Sequence, residues 1–294
     1  MDFNKIYANG CSFIWGHNHN NPWYFKYFEE TKDIDITEFL EECKNHNQGQ
    51  ENTQYTNPNV FKPFNEFNWV REKYNYASRV AADLNIEIVN QSIFGGSTHR
   101  MFRKTFQYII ENTEEHLQNT LFLIEIPPIG RGEMYFCNQE RYVNFVGEDN
   151  FDFVKEDNFE FIKQWYDKCF DLKIEIASEY QKLYLLLNLF KSKNIPFLFV
   201  QTNNRIIELN STDDVYLKYG SLKKFKEIQN EINSNSVKFK TDDGNTYDLV
   251  HWFSREKKAQ FSDDTDGISF DGHNSIRGSK LISEEILNHI KNNF

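Results

Sequence analysis

The chain has 294 residues, with 28 Phe, 15 Tyr, 13 Gly and 6 Pro. That length and aromatic content exclude low-complexity disorder and allow a substantial core, in one large domain or two small ones. A net charge of −11, with no lysine- or arginine-rich cluster to offset it, disfavours a phosphate backbone, so no nucleic-acid partner is expected.

The first predicted element is a short β run, "KIYANG", ending in glycine. Residues 17–64 are polar and aromatic with little periodicity and read as a long insertion, with a helix near 33–44. In "FNEFNWVREKYNYASRVAADLN" the residues Trp69, Tyr76, Val80 and Leu84 share one face of a helix. "IEIVNQS" is a second strand, and "STHRMFRKTFQYIIENT" a helix with Ser97 or Thr98 as its N-cap. "TLFLIEIPP" is a third strand, apolar on both faces as in a buried parallel sheet. Residues 130–157 read as irregular and polar, and residues 158–193 as one long helix or two. "IPFLFVQT" is a fourth strand, followed by a helix at about 219–233. "YDLVHWF" is a candidate fifth strand, and "NSIRGSKLISEEILNHIKNN" is the C-terminal helix.

Strands alternating with helices give a parallel sheet covered on both faces. In such sheets sites form at the carboxyl ends of the strands. No repeat and no Pro/Gly-rich linker divides the chain, so a single domain over 1–294 is expected, with insertions at about 17–64, 130–157 and 203–265. The four cysteines, at 11, 43, 137 and 169, show no CxxC spacing. Free thiols and a reducing, cytoplasmic compartment follow as expectations. The N-terminus "MDFNKIYANG" is too short and polar for a signal peptide, and "YQKLYLLLNLF" too short for a membrane span. No membrane partner is expected.

Three blocks carry candidate chemistry. Ser12 in "GCSF" lies just past strand one, where nearby backbone N–H groups can hold an oxyanion, although a serine there is also an ordinary helix N-cap. Gly95 and Gly96 in "NQSIFGGSTHR" lie past strand two and let the backbone approach a ligand. Asp271 and His273 in "SFDGHNSIRGSKLI" precede the last helix and supply the base and orienting carboxylate that a serine nucleophile needs. The other histidines read as loop, packed or surface residues, with His99 also a candidate to line the site. His17 and His19 in "GHNHNNPW" lack a third ligand nearby, so no metal is expected.

Together the blocks resemble the SGNH (GDSL-type) hydrolase family. "GCSF" resembles its nucleophile block, Asn90 followed by Gly95 its second block, and "DGHNSIRGSKLI" its last. More narrowly, "YANGCSF.WG" with "N.S..GGS..R" resembles a phage-type branch. The resemblance implies a three-layer α/β/α sandwich with a mostly parallel, five-stranded sheet of flavodoxin-like order. It also implies that Ser12 attacks an acyl ester, that His273 is the base oriented by Asp271, and that the Ser12 and Gly95 N–H groups hold the oxyanion. No cofactor is implied, and the substrate is a small-molecule or carbohydrate acyl ester. The family's Asn after strand three is absent from "IEIPPIGRGE". Arg131, partnered by Glu133, or Asn203 is left to donate in its place, and an Arg131 at the site favours anionic substrates. Asp271 stands two residues before His273 rather than three, which keeps Asp264 and Asp266 as rivals. A second reading, favoured by the missing Asn, is a catalytically silent module of this family that binds a glycan or a protein, as in a phage particle.

Overall fold

The computed structural model describes residues 3–11, 14, 72–93, 96–128, 131–136, 141–146, 161–165, 168, 172–202, 222–240, 246–250, 252 and 276–294. Four parallel strands form the central sheet: β1 (Lys5–Asn9), β2 (Glu87–Asn90), β3 (Thr120–Ile126) and, sixth in chain order, β6 (Phe197–Gln201). Their order is β2-β1-β3-β6, the flavodoxin-like arrangement in which the chain reverses direction across the sheet at β1 and β3. Register runs Ile6 to Ile88 and Leu121, and Leu123 to Leu198. Beyond β6 a parallel bridge joins Phe199 to Ser236, with Phe199 N donating to Asn235 O at 2.9 Å and Val237 N to Phe199 O at 2.8 Å. The place of a fifth strand is thus taken by one bridge. Of the candidate strand "YDLVHWF", Tyr247 alone among the described residues lies in a strand, β8 (Thr246–Tyr247), paired antiparallel with Phe239–Lys240 (β7). Beyond it the chain turns helically, Trp252 N donating to Asp248 O at 2.9 Å.

Helices cover both faces. On one, α1 (Tyr76–Leu84) and α6 (Ile276–Asn293) pack Tyr76, Val80, Ile282 and Ile286 onto Ile6, Ala8, Leu121 and Leu123. On the other, α2 (Thr98–Glu111) and α4 (Leu172–Ser192) pack Met101, Ile109, Leu183 and Phe190 onto Tyr7, Phe122, Ile124 and Phe199. Every residue of β3 is buried, as its two-sided apolar sequence requires. A short α3 (Glu114–Gln118) leads into β3, and α5 (Leu222–Ser234) follows β6. Of the predicted helix face, Tyr76, Val80 and Leu84 lie in α1, which the Asn75 side chain caps by accepting from Ser78 N at 2.9 Å, and Trp69 lies outside the described residues. Ser97, rather than Thr98, is the N-cap of α2. The expected helix near 33–44 lies outside the described residues.

The segment after β3 departs from expectation. Residues 131–136 and 141–146 are not irregular but form an antiparallel hairpin, β4 (Arg131–Phe136) and β5 (Arg141–Val146). Among the described residues no helix is long and apolar enough to cross a membrane.

Candidate active site

Two βα turns meet at the carboxyl ends of β1 and β2. Asn9, the last residue of β1, is fully buried and uses all its polar atoms. Its Nδ2 donates to Thr105 Oγ1 at 2.9 Å, Met101 O at 3.0 Å and Tyr7 OH at 3.2 Å. Its Oδ1 accepts from Gly10 N at 2.9 Å. The strand end is therefore tied to α2 before the turn begins.

Glu125 of β3 holds the turn itself. Its Oε2 accepts from Ile14 N at 2.9 Å and Cys11 N at 3.1 Å, and its Oε1 from the Cys11 thiol at 3.0 Å. Cys11 is completely buried. Glu125 is completely buried. Burial raises its pKa, and the three bonds and the Arg131 charge offset that rise only in part. A glycine is needed at position 10 for contact rather than for handedness, since a Cβ there would lie 2.4 Å from Glu125 Cβ and 2.8 Å from its Oε2. The amides of Cys11 and Ile14 are committed to Glu125 and unavailable to a ligand.

The second turn closes against the first. Asn90 Oδ1 accepts from Ser92 N at 3.0 Å and from the Ser92 hydroxyl, and Gln91 N donates to Ala8 O at 2.8 Å. Buried Arg100 donates from Nη1 to Gln91 O at 2.6 Å. At Gly96 a Cβ would lie 2.4 Å from Gly10 O and 3.2 Å from Cys11 Cα. The backbone of the glycine block thus lies directly against the backbone of the serine block.

The third approach is from β3. Past Ile126 and two prolines, β4 begins with Arg131. Arg131 Nη1 is buried and has no hydrogen-bond partner, and its charge acts on Glu125. The expected Arg131–Glu133 pair is not formed. Glu133 instead takes a two-point ion pair from Arg103 of α2, Nε to Oε2 at 2.9 Å and Nη2 to Oε1 at 2.6 Å.

Of the predicted catalytic and oxyanion residues, Arg131 alone is among the described ones, beside Asn90, Gly96 and His99 of the second block. Ser12, Gly95, Asn203, Asp264, Asp266, Asp271 and His273 lie outside them. The C-terminal end of α6 is at the amino end of the sheet, where Phe294 meets Phe3 edge-on at 6.1 Å. An 18-residue helix is about 27 Å long, longer than the strands. Ile276, the first residue of α6, therefore lies towards their carboxyl ends.

A cluster that the sequence did not reveal lies beside the second turn. His99, in the first turn of α2, pairs through Nε2 with Glu175 of α4. Burial raises the Glu175 pKa, but the hydrogen bond and charge of His99 bring it below the ordinary range. One turn on, Glu179 is buried with neither oxygen hydrogen-bonded. Burial, then the Glu175 charge, pushes it up to about 8, against weaker pulls from Lys182 and Thr98. The Thr98 hydroxyl lies near it but outside hydrogen-bond geometry. The sequence signal was the i, i+4, i+7 spacing of Glu175, Glu179 and Lys182 on one helix face. Among the described residues no His, Cys, Asp and Glu group could hold a metal ion.

A family of unknown function, DUF6071, matches residues 62–201. That is under half of the chain, and it includes neither Ser12 nor His273. No curated protein matches the chain in sequence. Among solved structures, the psychrotrophic esterase EstA from Pseudoalteromonas sp. is similar over 98% of this chain and 97% of its own, at 10% identity and a TM-score of 0.41. The lipase Lip_vut3 from a goat rumen metagenome is similar over 96% and 95%, at 13% identity and a TM-score of 0.39. A GDSL-like lipase from Parabacteroides merdae is similar over 98% and 94%, at 14% identity and a TM-score of 0.37. Scores and identities this low carry no activity across to this chain. The fold assignment rests on the strand order and register above.

Proposed function

We propose that this chain is a serine ester hydrolase of the SGNH type, acting on a small-molecule or carbohydrate acyl ester. Ser12 attacks the acyl carbonyl. His273 takes the serine proton and later gives it to the leaving alcohol, and Asp271 fixes the His273 tautomer. The N–H groups of Ser12 and Gly95 hold the oxyanion, with Asn203 or Arg131 as a third donor. The acyl-enzyme is then hydrolysed by water. No cofactor takes part.

The observation that carries this reading is the contact between Gly96 and the Gly10 carbonyl. It supports a shared site because the serine and glycine blocks, 80 or more residues apart in sequence, abut at adjacent strand ends. Two features add to it. The helix that follows His273 begins towards the same end of the sheet, and the Cys11 and Ile14 amides, being spent on Glu125, leave the donor role to other N–H groups.

The test is labelling with a fluorophosphonate, read by intact mass. One adduct on the wild-type protein, absent from Ser12→Ala, is the expected result. A folded wild-type protein that takes no label would favour the silent binding module, and a label that survives Ser12→Ala would move the nucleophile elsewhere.

A further inference from the structure

Arg131 places a positive charge at the carboxyl end of β3 that no described group neutralises by direct contact. Its Nη1 is buried and has no hydrogen-bond partner. Glu125, on which its charge acts, and Glu133, two residues along the chain, are both committed elsewhere. Glu125 accepts from two amides and a thiol, and Glu133 is held at two points by Arg103. A guanidinium presents five donors in a planar fork matched to a carboxylate, and it stays charged at any working pH. A buried N–H of such a group without an acceptor is costly, so it marks a place where a ligand's acceptor belongs. The place is also where ligands bind in sheets of this kind, outside the strand carboxyl ends.

We infer that Arg131 binds a carboxylate on the substrate, so that the preferred substrates are half-esters of dicarboxylic acids or esters with a comparable anionic group close to the scissile bond. This rests on the ester-hydrolase reading for the identity of the reaction, but the anion site itself stands on the Arg131 environment alone.

Two measurements separate them. In the Ser12→Ala protein, binding of monoethyl succinate and of ethyl acetate is followed by calorimetry, with and without Arg131→Gln. The expected result is that the half-ester binds measurably, that Arg131→Gln weakens it on the order of 10- to 100-fold, and that Arg131→Lys keeps part of the affinity. In the Ser12 protein, kcat/KM for the half-ester should fall far more in Arg131→Gln than that for ethyl acetate. A thermal melt of each variant excludes unfolding as the cause. Equal losses on both esters, or half-ester binding that ignores Arg131, overturn the anion site even where fluorophosphonate labels Ser12. Inorganic phosphate binding more tightly than the half-ester, with the same Arg131 dependence, overturns the carboxylate assignment. Half-ester binding that depends on Arg131 in a protein that fluorophosphonate does not label keeps the anion site and removes the hydrolase.

Discussion

Gly96→Ala tests the contact on which the site depends. The new methyl carbon would lie 2.4 Å from Gly10 O, 3.2 Å from Cys11 Cα and 3.2 Å from Ile93 O. Carbon and oxygen not bonded to each other settle at about 3.3–3.6 Å, so the two turns must part by about 1 Å. All three neighbours are backbone, and no rotamer change can relieve them. The Gly10 side is the stiffer one, since its N–H is bound to Asn9 and its Cα faces Glu125. Overpacking of this kind costs about 1–3 kcal/mol, and an unyielding neighbour puts the change near the upper end. For a chain of 294 residues, with an unfolding entropy of about 2.1 cal/mol/K per residue, that is a fall in Tm of about 5 °C. A displacement of about 1 Å between the two turns should also lower the rate of fluorophosphonate labelling by about 10²-fold. The labelling is measured well below the variant's Tm, so that loss of fold does not enter. A Gly96→Ala protein with unchanged Tm and labelling would refute the close approach, and with it the placing of the two blocks in one site.

Glu179→Gln should change the pH dependence of stability. The folded-state pKa of about 8 lies above the ordinary 4.5, so this group's contribution is fully present below about pH 4.5 and is lost as pH rises through about 8, to a total of about 5 kcal/mol. The variant should match the wild type at pH 5 and melt higher at pH 9, and a Tm difference independent of pH would contradict the assignment. Asp271→Asn should leave the melt unchanged and lower kcat on an acyl ester by about 10⁴-fold. A near-normal rate would pass the role to Asp264 or Asp266.

The four sheet strands were legible in the sequence because buried parallel strands are short apolar runs between helical periods, and "TLFLIEIPP" is the clearest of them. The hairpin was not. "RGEMYF" and "RYVNFV" alternate polar and apolar residues too irregularly to show a strand period, and it is antiparallel pairing that satisfies their backbones. The expected Arg131–Glu133 pair failed for a geometric reason. Residues i and i+2 of a strand point the same way but stand about 6.6–7 Å apart, whereas Arg103 reaches Glu133 directly from the facing helix. Glu125 is the site feature the sequence hid most fully. A single Glu inside an apolar run looks like an interruption, and its partners, Cys11 and Ile14, lie 114 and 111 residues away. Gly10 and Gly96, by contrast, were visible as small residues at strand ends, and the structure leaves no room for a Cβ at either.

The carboxylate of Glu125 imposes a condition on any chemistry at the first turn. The backbone N–H groups at the start of a helix attract anions, but here two of those nearest the strand end are taken by a buried carboxyl group. Its three described partners are all donors, which is the surrounding a carboxylate requires and a neutral acid does not. When Glu125 is ionised, its charge beneath the turn opposes any anion bound above it, and low-dielectric burial strengthens the opposition. An Asn after β3, which this chain lacks, would add a donor but leave that charge uncancelled. Arg131 acts on both counts. Its charge lowers the pKa of Glu125, and its buried Nη1 still has an acceptor to find. The Glu anchors the turn, and the Arg restores the attraction for an anion that the Glu alone would remove.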